Sequence, residues 1–188
     1  MKKSSAVLVG IATFAALPVL AHDGGNRFGG NLDGYQEVAV APQPSTISTT
    51  GNGRFDLLID ERRGEVHWQL SYGQLESAVT QAHIHLGLPA IAGGISVFLC
   101  TNLGNGPAAP AQSPQGCPQA VGADTVTISG TFTRDDVIGP AGQGIAAGEF
   151  AELLRAIRAG ATYANVHTQN RPAGEIRAQL QRGHSKGN

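Results

Sequence analysis

The chain of 188 residues is 41% apolar, 5% aromatic and 14% charged, with 26 glycines and a formal net charge of −1 from 13 basic and 14 acidic groups. That balance excludes the basic footprint of a nucleic-acid-binding protein. Little charge and much glycine exclude a coiled coil or a charged helical bundle, and favour one small domain of short strands joined by tight turns.

Lys2 and Lys3 precede an apolar run from Ala6 to Ala16, and Val19-Leu20-Ala21 offers the small residues that signal peptidase reads at −3 and −1. Residues 1–21 are therefore expected to be a signal peptide, with His22 the first residue of the exported protein. A retained anchor would need roughly 20 apolar residues, whereas this run is short and meets Pro18. No cysteine precedes Cys100, which excludes a lipid-modified N-terminal cysteine. The expected location is periplasmic or secreted, with no membrane span after cleavage.

Residues 22–30, Gly-rich and polar, read as a flexible lead-in to a β domain over 31–182. Two-residue alternation marks strands at Phe55-Leu57-Ile59, at Val66-Trp68-Leu70-Tyr72 and at Ala82-Ile84-Leu86. Gly94 to Cys100, Val126 to Phe132, Tyr163 to Thr168 and Glu175 to Leu180 read likewise, separated by Gly, Pro, Asn and Asp. Only Glu149 to Ala159 has helical spacing, with Phe150, Leu153, Leu154 and Ile157 on one side and Gly160 as its stop. The fold class is all-β, an antiparallel sandwich or barrel of about seven or eight strands with one short helix. Thr101 to Ala123 and Asp135 to Ala147 look like surface insertions, and 183–188 forms a polar tail without the apolar segment a lipid anchor requires.

Cys100 and Cys117, the two cysteines of the chain, flank a Pro-, Ala- and Gly-rich stretch. In an oxidising compartment they are expected to form a disulfide, which would contribute roughly 3 kcal/mol on the loop-entropy account. A thiolate metal site is the alternative, disfavoured because the stretch between them offers no other ligand type.

Histidines are the scarce chemical resource. In Gln81-Ala82-His83-Ile84-His85-Leu86 the two imidazoles leave one face of one strand, and His-x-His is a recurrent ligand pair for zinc and copper. His167, on the parity opposite Ala164 and Val166, would join them if the two strands are neighbours, on the polar face of the sheet. A hairpin from Tyr163 to Leu180 would bring Glu175 and Arg177 near His167, Glu175 as a fourth ligand or as a carboxylate orienting an imidazole. Asn165 and Arg177 are expected to support the ligands from behind. The bland reading is a polar face with a surface Glu175–Arg177 pair, which would be worth little. His22, if cleavage frees its amine, would chelate Cu(II). His67 and His184 are assigned no role.

The order of these segments resembles the CHRD (chordin-like) domain, an extracytoplasmic β module found in many bacterial exported proteins and in the animal antagonist chordin. The resemblance rests on Leu32-Asp33-Gly34-Tyr35-Gln36-Glu37-Val38, on Ala82-His83-Ile84-His85, and on Tyr163-Ala164-Asn165-Val166-His167-Thr168 with Pro172-Ala173-Gly174-Glu175-Ile176-Arg177-Ala178-Gln179-Leu180. Where the family often has Gly-Pro after its central His motif, this chain reads Leu86-Gly87-Leu88-Pro89. The resemblance implies a β fold and supplies no catalytic residues. Three functions follow: an exported protein binding copper or zinc through the His cluster; a non-catalytic module binding a protein or glycan; and a metal-dependent redox enzyme, similar only in outline to copper/zinc superoxide dismutase. No Ser–His–Asp order, paired carboxylate motif or phosphate loop supports an enzyme.

Overall fold

The computed structural model describes residues 26–38, 46–122 and 125–183. The expected signal segment, His22 and His184 lie outside the described residues. Nine strands and one α-helix follow in order: β1 (Arg27–Asp33), β2 (Asn52–Asp60), β3 (Glu65–Gly73), β4 (Val79–Leu86), β5 (Ile95–Thr101), β6 (Thr125–Phe132), α1 (Phe150–Arg158), β7 (Thr162–Thr168), β8 (Ile176–Gln179) and β9 (Gln181–Arg182). They form one antiparallel sheet in the order β5-β4-β7-β8-β1-β2-β3-β6, with β9 beside β1. The expected all-β class with one helix holds, and of the two architectures it is a nearly closed barrel.

The gap between edge strands β5 and β6 is spanned by the two stretches expected to be surface insertions. Ile138 N donates to Ser96 O at 3.0 Å from one, and Gln115 Nε2 donates to Ser129 O at 3.0 Å from the other. Both also bury side chains, Cys117 and Ala120 in the first and Asp136, Val137 and Ile145 in the second. They are seals rather than ornaments, because an open sheet edge leaves backbone groups unpaired. The Cys100 and Cys117 sulfurs lie at bonding distance, 2.03 Å, with Cα atoms 5.1 Å apart, pinning the first seal to β5.

The alternating residues do what their period requires. Phe55, Leu57 and Ile59 of β2 and Val66, Trp68, Leu70 and Tyr72 of β3 all point into the core. The apolar side of α1 packs Leu153, Leu154 and Ile157 into the same core, and Gly160 follows at φ +69°, a left-handed position that ends the helix without a Cβ penalty.

The opening of the domain differs from the sequence reading. Residues 27–30 are strand, not lead-in, because the glycines there serve close approach. A Cβ on Gly29 would lie 2.4 Å from Phe55 O, and one on Gly30 would lie 2.7 Å from Gln179 O. Arg27-Phe28-Gly29-Gly30 thus reads as loose chain in isolation, and becomes a strand only against β2 and β8.

Candidate metal centre

Strands β4 and β7 pair antiparallel, one strand in from the β5 edge, with Gln81 opposite His167, His83 opposite Asn165 and His85 opposite Tyr163. This register places the three histidines on one patch of the face turned away from the core. Bulges in the β4–β5 pairing fall between Ala82 and His83 and between Ile84 and His85, and bulges of this kind re-aim side chains. The ring centroids of His83 and His167 are 4.9 Å apart, those of His83 and His85 5.4 Å, and those of His85 and His167 6.0 Å. One nitrogen from each ring lies within 4.8 Å of one nitrogen from each of the others.

The patch is not the solvated polar face that alternation suggested. His83, His85 and His167 are 1%, 6% and 7% exposed, and every residue of β7 is buried. Phe98 of β5 packs edge-on against His83 at 4.4 Å, and Tyr163 stacks on His85 at 4.8 Å. The loop after β4 folds back over the patch, so that Gly93 N donates to the Tyr163 hydroxyl at 3.1 Å. The alternation of β4 is present but does not separate core from solvent, since with both sheet faces covered both parities face protein.

Hydrogen bonding settles which nitrogens point inward. The Gly93 carbonyl, 3.0 Å from His85 Nδ1, can only accept, and so can the Pro172 carbonyl, 3.0 Å from His167 Nδ1. Both rings therefore carry the proton on Nδ1 and turn the Nε2 lone pair toward the cluster. Anchoring one ring nitrogen on a backbone carbonyl is how ligating histidines are usually held. His83 Nδ1 lies 3.1 Å from His167 Nε2, while His83 Nε2 and His85 Nε2 are buried without a hydrogen-bond partner. Burial, the largest cause in each case, lowers the pKa of His83 to about 2 and those of His85 and His167 to about 4; the neighbouring imidazoles lower His83 and His85 further. All three are neutral at physiological pH, the state a metal requires.

The supporting residues divide. Asn165 is in the patch, with Oδ1 3.0 Å from His167 Nε2. Glu175 is not a ligand and orients no imidazole: its carboxylate accepts from Thr49 Oγ1 and Thr168 Oγ1, both at 2.7 Å, and from Glu76 N at 2.9 Å. It is fully buried and ties three segments together, because a carboxylate placed at the turn into β8 reaches backward to β7's end and not along its face. Arg177 is no surface partner of Glu175. Its guanidinium lies 3.4 Å above the Tyr163 ring and donates to Ile91 O and Leu88 O, both at 2.9 Å. It thus acts on the histidines through Tyr163 and through the loop that supplies the Gly93 carbonyl. His67 lies apart, 2.9 Å from Thr131 Oγ1 and 3.6 Å from Glu65.

Sequence reading assigned no role to Glu37, which is 3% exposed and receives a hydrogen bond from Asn165 Nδ2 at 3.3 Å. Burial raises its pKa, against the backbone N–H of Val38, Asn165 and Arg177, which lower it. Nothing in the local pattern of Gln36-Glu37-Val38 could reveal a contact made 128 residues away.

The sequence model of the CHRD domain matches residues 28–180, a span holding every residue of this centre. No curated protein and no solved structure matches the chain. With the opening, central and closing motifs all inside the matched span and all converging on one buried patch, the chain belongs to the CHRD domain family.

Proposed function

We propose that the protein is an exported metal-binding protein that takes one divalent copper or zinc ion on His83, His85 and His167. The observation that bears most weight is the pair of buried, unpartnered nitrogens, His83 Nε2 and His85 Nε2, beside a third imidazole whose lone pair also points inward. An orphaned buried acceptor costs about 1–3 kcal/mol, and one ion would satisfy several at once. Three neutral imidazoles suit zinc or copper. The lack of solvent access supports holding an ion over turning over a substrate, since catalytic centres keep an open position.

Calorimetric titration of Cu(II) and Zn(II) into the full chain and into the triple His83→Ala, His85→Ala, His167→Ala variant tests this reading. Affinity is expected to fall by roughly a hundredfold or more; unchanged affinity for both ions would overturn it. The second reading, a protein- or glycan-interaction module, is favoured by a groove lined by Tyr35, Val38, Pro89 and Ala90 over Arg177 and Gln179, with Tyr35 exposed.

Export is supported by the Cys100–Cys117 pair, because such bonds persist in oxidising compartments. Among the described residues no helix is long and apolar enough to cross a membrane. Intact mass of the exported protein is expected to begin at His22, and thiol titration after denaturation without reductant to find no free sulfhydryl. Retention of residues 1–21, or two titratable thiols, would contradict the respective half of this expectation.

A further inference from the structure

A neutral imidazole has one N–H, yet His167 faces two carbonyl oxygens, Pro172 O at 3.0 Å from Nδ1 and Asn165 Oδ1 at 3.0 Å from Nε2. With the proton on Nδ1, the second contact sets lone pair against lone pair between side chains that are both buried. Such an acceptor pair is costly between two buried side chains. Turning the amide over does not relieve it, because Asn165 Nδ2 is held by Glu37 Oε2, and the reversed amide would point its oxygen at that carboxylate. Glu37 is itself held in place, its Oε1 accepting from Val38 N at 2.9 Å.

A cation between His167 Nε2 and Asn165 Oδ1 removes the conflict: both lone pairs then point at the ion, and Nδ1–H stays on Pro172 O. Two ligand atoms on a tetrahedral ion with bonds of about 2.0–2.1 Å stand about 3.3 Å apart. The 3.0 Å from His167 Nε2 to Asn165 Oδ1 is near that spacing. Backbone geometry also makes room for the amide and its anchor. Gly174 has φ +130°, and a Cβ there would lie 2.2 Å from Glu37 Oε2 and 3.0 Å from Asn165 Nδ2.

We propose that Asn165 Oδ1 is the fourth ligand of the centre, completing three imidazole nitrogens with one amide oxygen, and that Glu37 is the positioning residue that turns this oxygen toward the ion. The donor set is neutral, so a divalent ion keeps its full charge, and the Glu37 carboxyl group stands one hydrogen bond away. An amide oxygen is a hard ligand, which favours Zn(II) or Cu(II) over Cu(I).

This inference rests on the reading of the His cluster as a metal site, and Co(II) titrated into the full chain separates the two. Parent protein is expected to show the visible absorption of a four-coordinate Co(II) centre. Asn165→Leu, which keeps the side-chain size and loses the oxygen, is expected to bind Co(II) roughly tenfold or more weakly and with an altered spectrum. Asn165→Asp retains an oxygen and adds charge, and is expected to bind more tightly with a shifted spectrum. A folded Asn165→Leu variant with parental affinity and spectrum overturns the assignment; should that variant not fold, parental affinity and spectrum in Asn165→Asp overturn it instead. Parental Co(II) affinity in the triple histidine variant would overturn the metal site itself.

Discussion

Acidification of the metal-free protein is expected to unfold it between about pH 5 and pH 4. In the unfolded chain each histidine takes a proton near pH 6.5, whereas in the folded chain burial holds His85 and His167 neutral to about pH 4 and His83 to about pH 2. Below pH 6.5 the unfolded state therefore binds more protons than the folded state, and stability falls as pH falls. Each histidine contributes a slope of at most about 1.4 kcal/mol per pH unit, so the three together approach about 4 kcal/mol per unit. Over two units that is comparable with the whole stability of a typical domain, about 5–15 kcal/mol. Glu37 works in the opposite sense: its raised pKa lets the folded state take up a proton first, and it offsets at most one of the three. Urea denaturation across this pH range checks the slope, which should fall by about a third in His167→Gln. Stability that stays flat between about pH 6.5 and pH 4.5 would contradict it. Saturating Zn(II) should move the acid midpoint downward, because an ion that binds only the folded state adds stability by mass action.

Replacing Arg177 by Met is expected to cost about 3 kcal/mol, roughly 10 °C in melting temperature for a domain of this size. Arg177 is among the largest fully buried side chains, and it connects three parts of the centre. Its guanidinium covers Tyr163, which stacks on His85, and its N–H groups hold Leu88 O and Ile91 O on the loop that also brings the Gly93 carbonyl to His85 Nδ1. Met fills much of the volume but donates nothing, so the loop carbonyls lose charge-assisted bonds. Lys should not rescue, since an ammonium lacks the planar fork that stacks and donates in two directions. Because the loop then loses its tether, metal affinity is expected to fall along with stability. A Met variant that melts within about 2 °C of the parent would show that Arg177 is peripheral.

Much of this was legible before any tertiary structure. Strands β2 and β3 were readable because one face is buried and the other wet, which preserves a two-residue period. The apolar stripe of Phe150, Leu153, Leu154 and Ile157 with Gly160 beyond it defined α1 to within a residue at each end. His83 and His85 had to share a face, since strand geometry allows nothing else. With two cysteines in the chain, only one intramolecular pairing could exist.

What only the tertiary structure decided depends on contacts remote in sequence. Burial of the histidine face arises from Phe98, Tyr163 and the loop ending at Gly93, none of which the alternation of β4 records. Glu175 and Glu37 exchange their expected importance for the same reason. Glu175 is close to His167 in the chain but its oxygens are taken by Thr49, Thr168 and Glu76, whereas Glu37, far from it, meets Asn165 across the sheet. Residue type and parity determine which side chains can leave one face of a strand. Strand order and loop packing determine which acceptors those side chains meet, and that depends on the whole barrel closing around them.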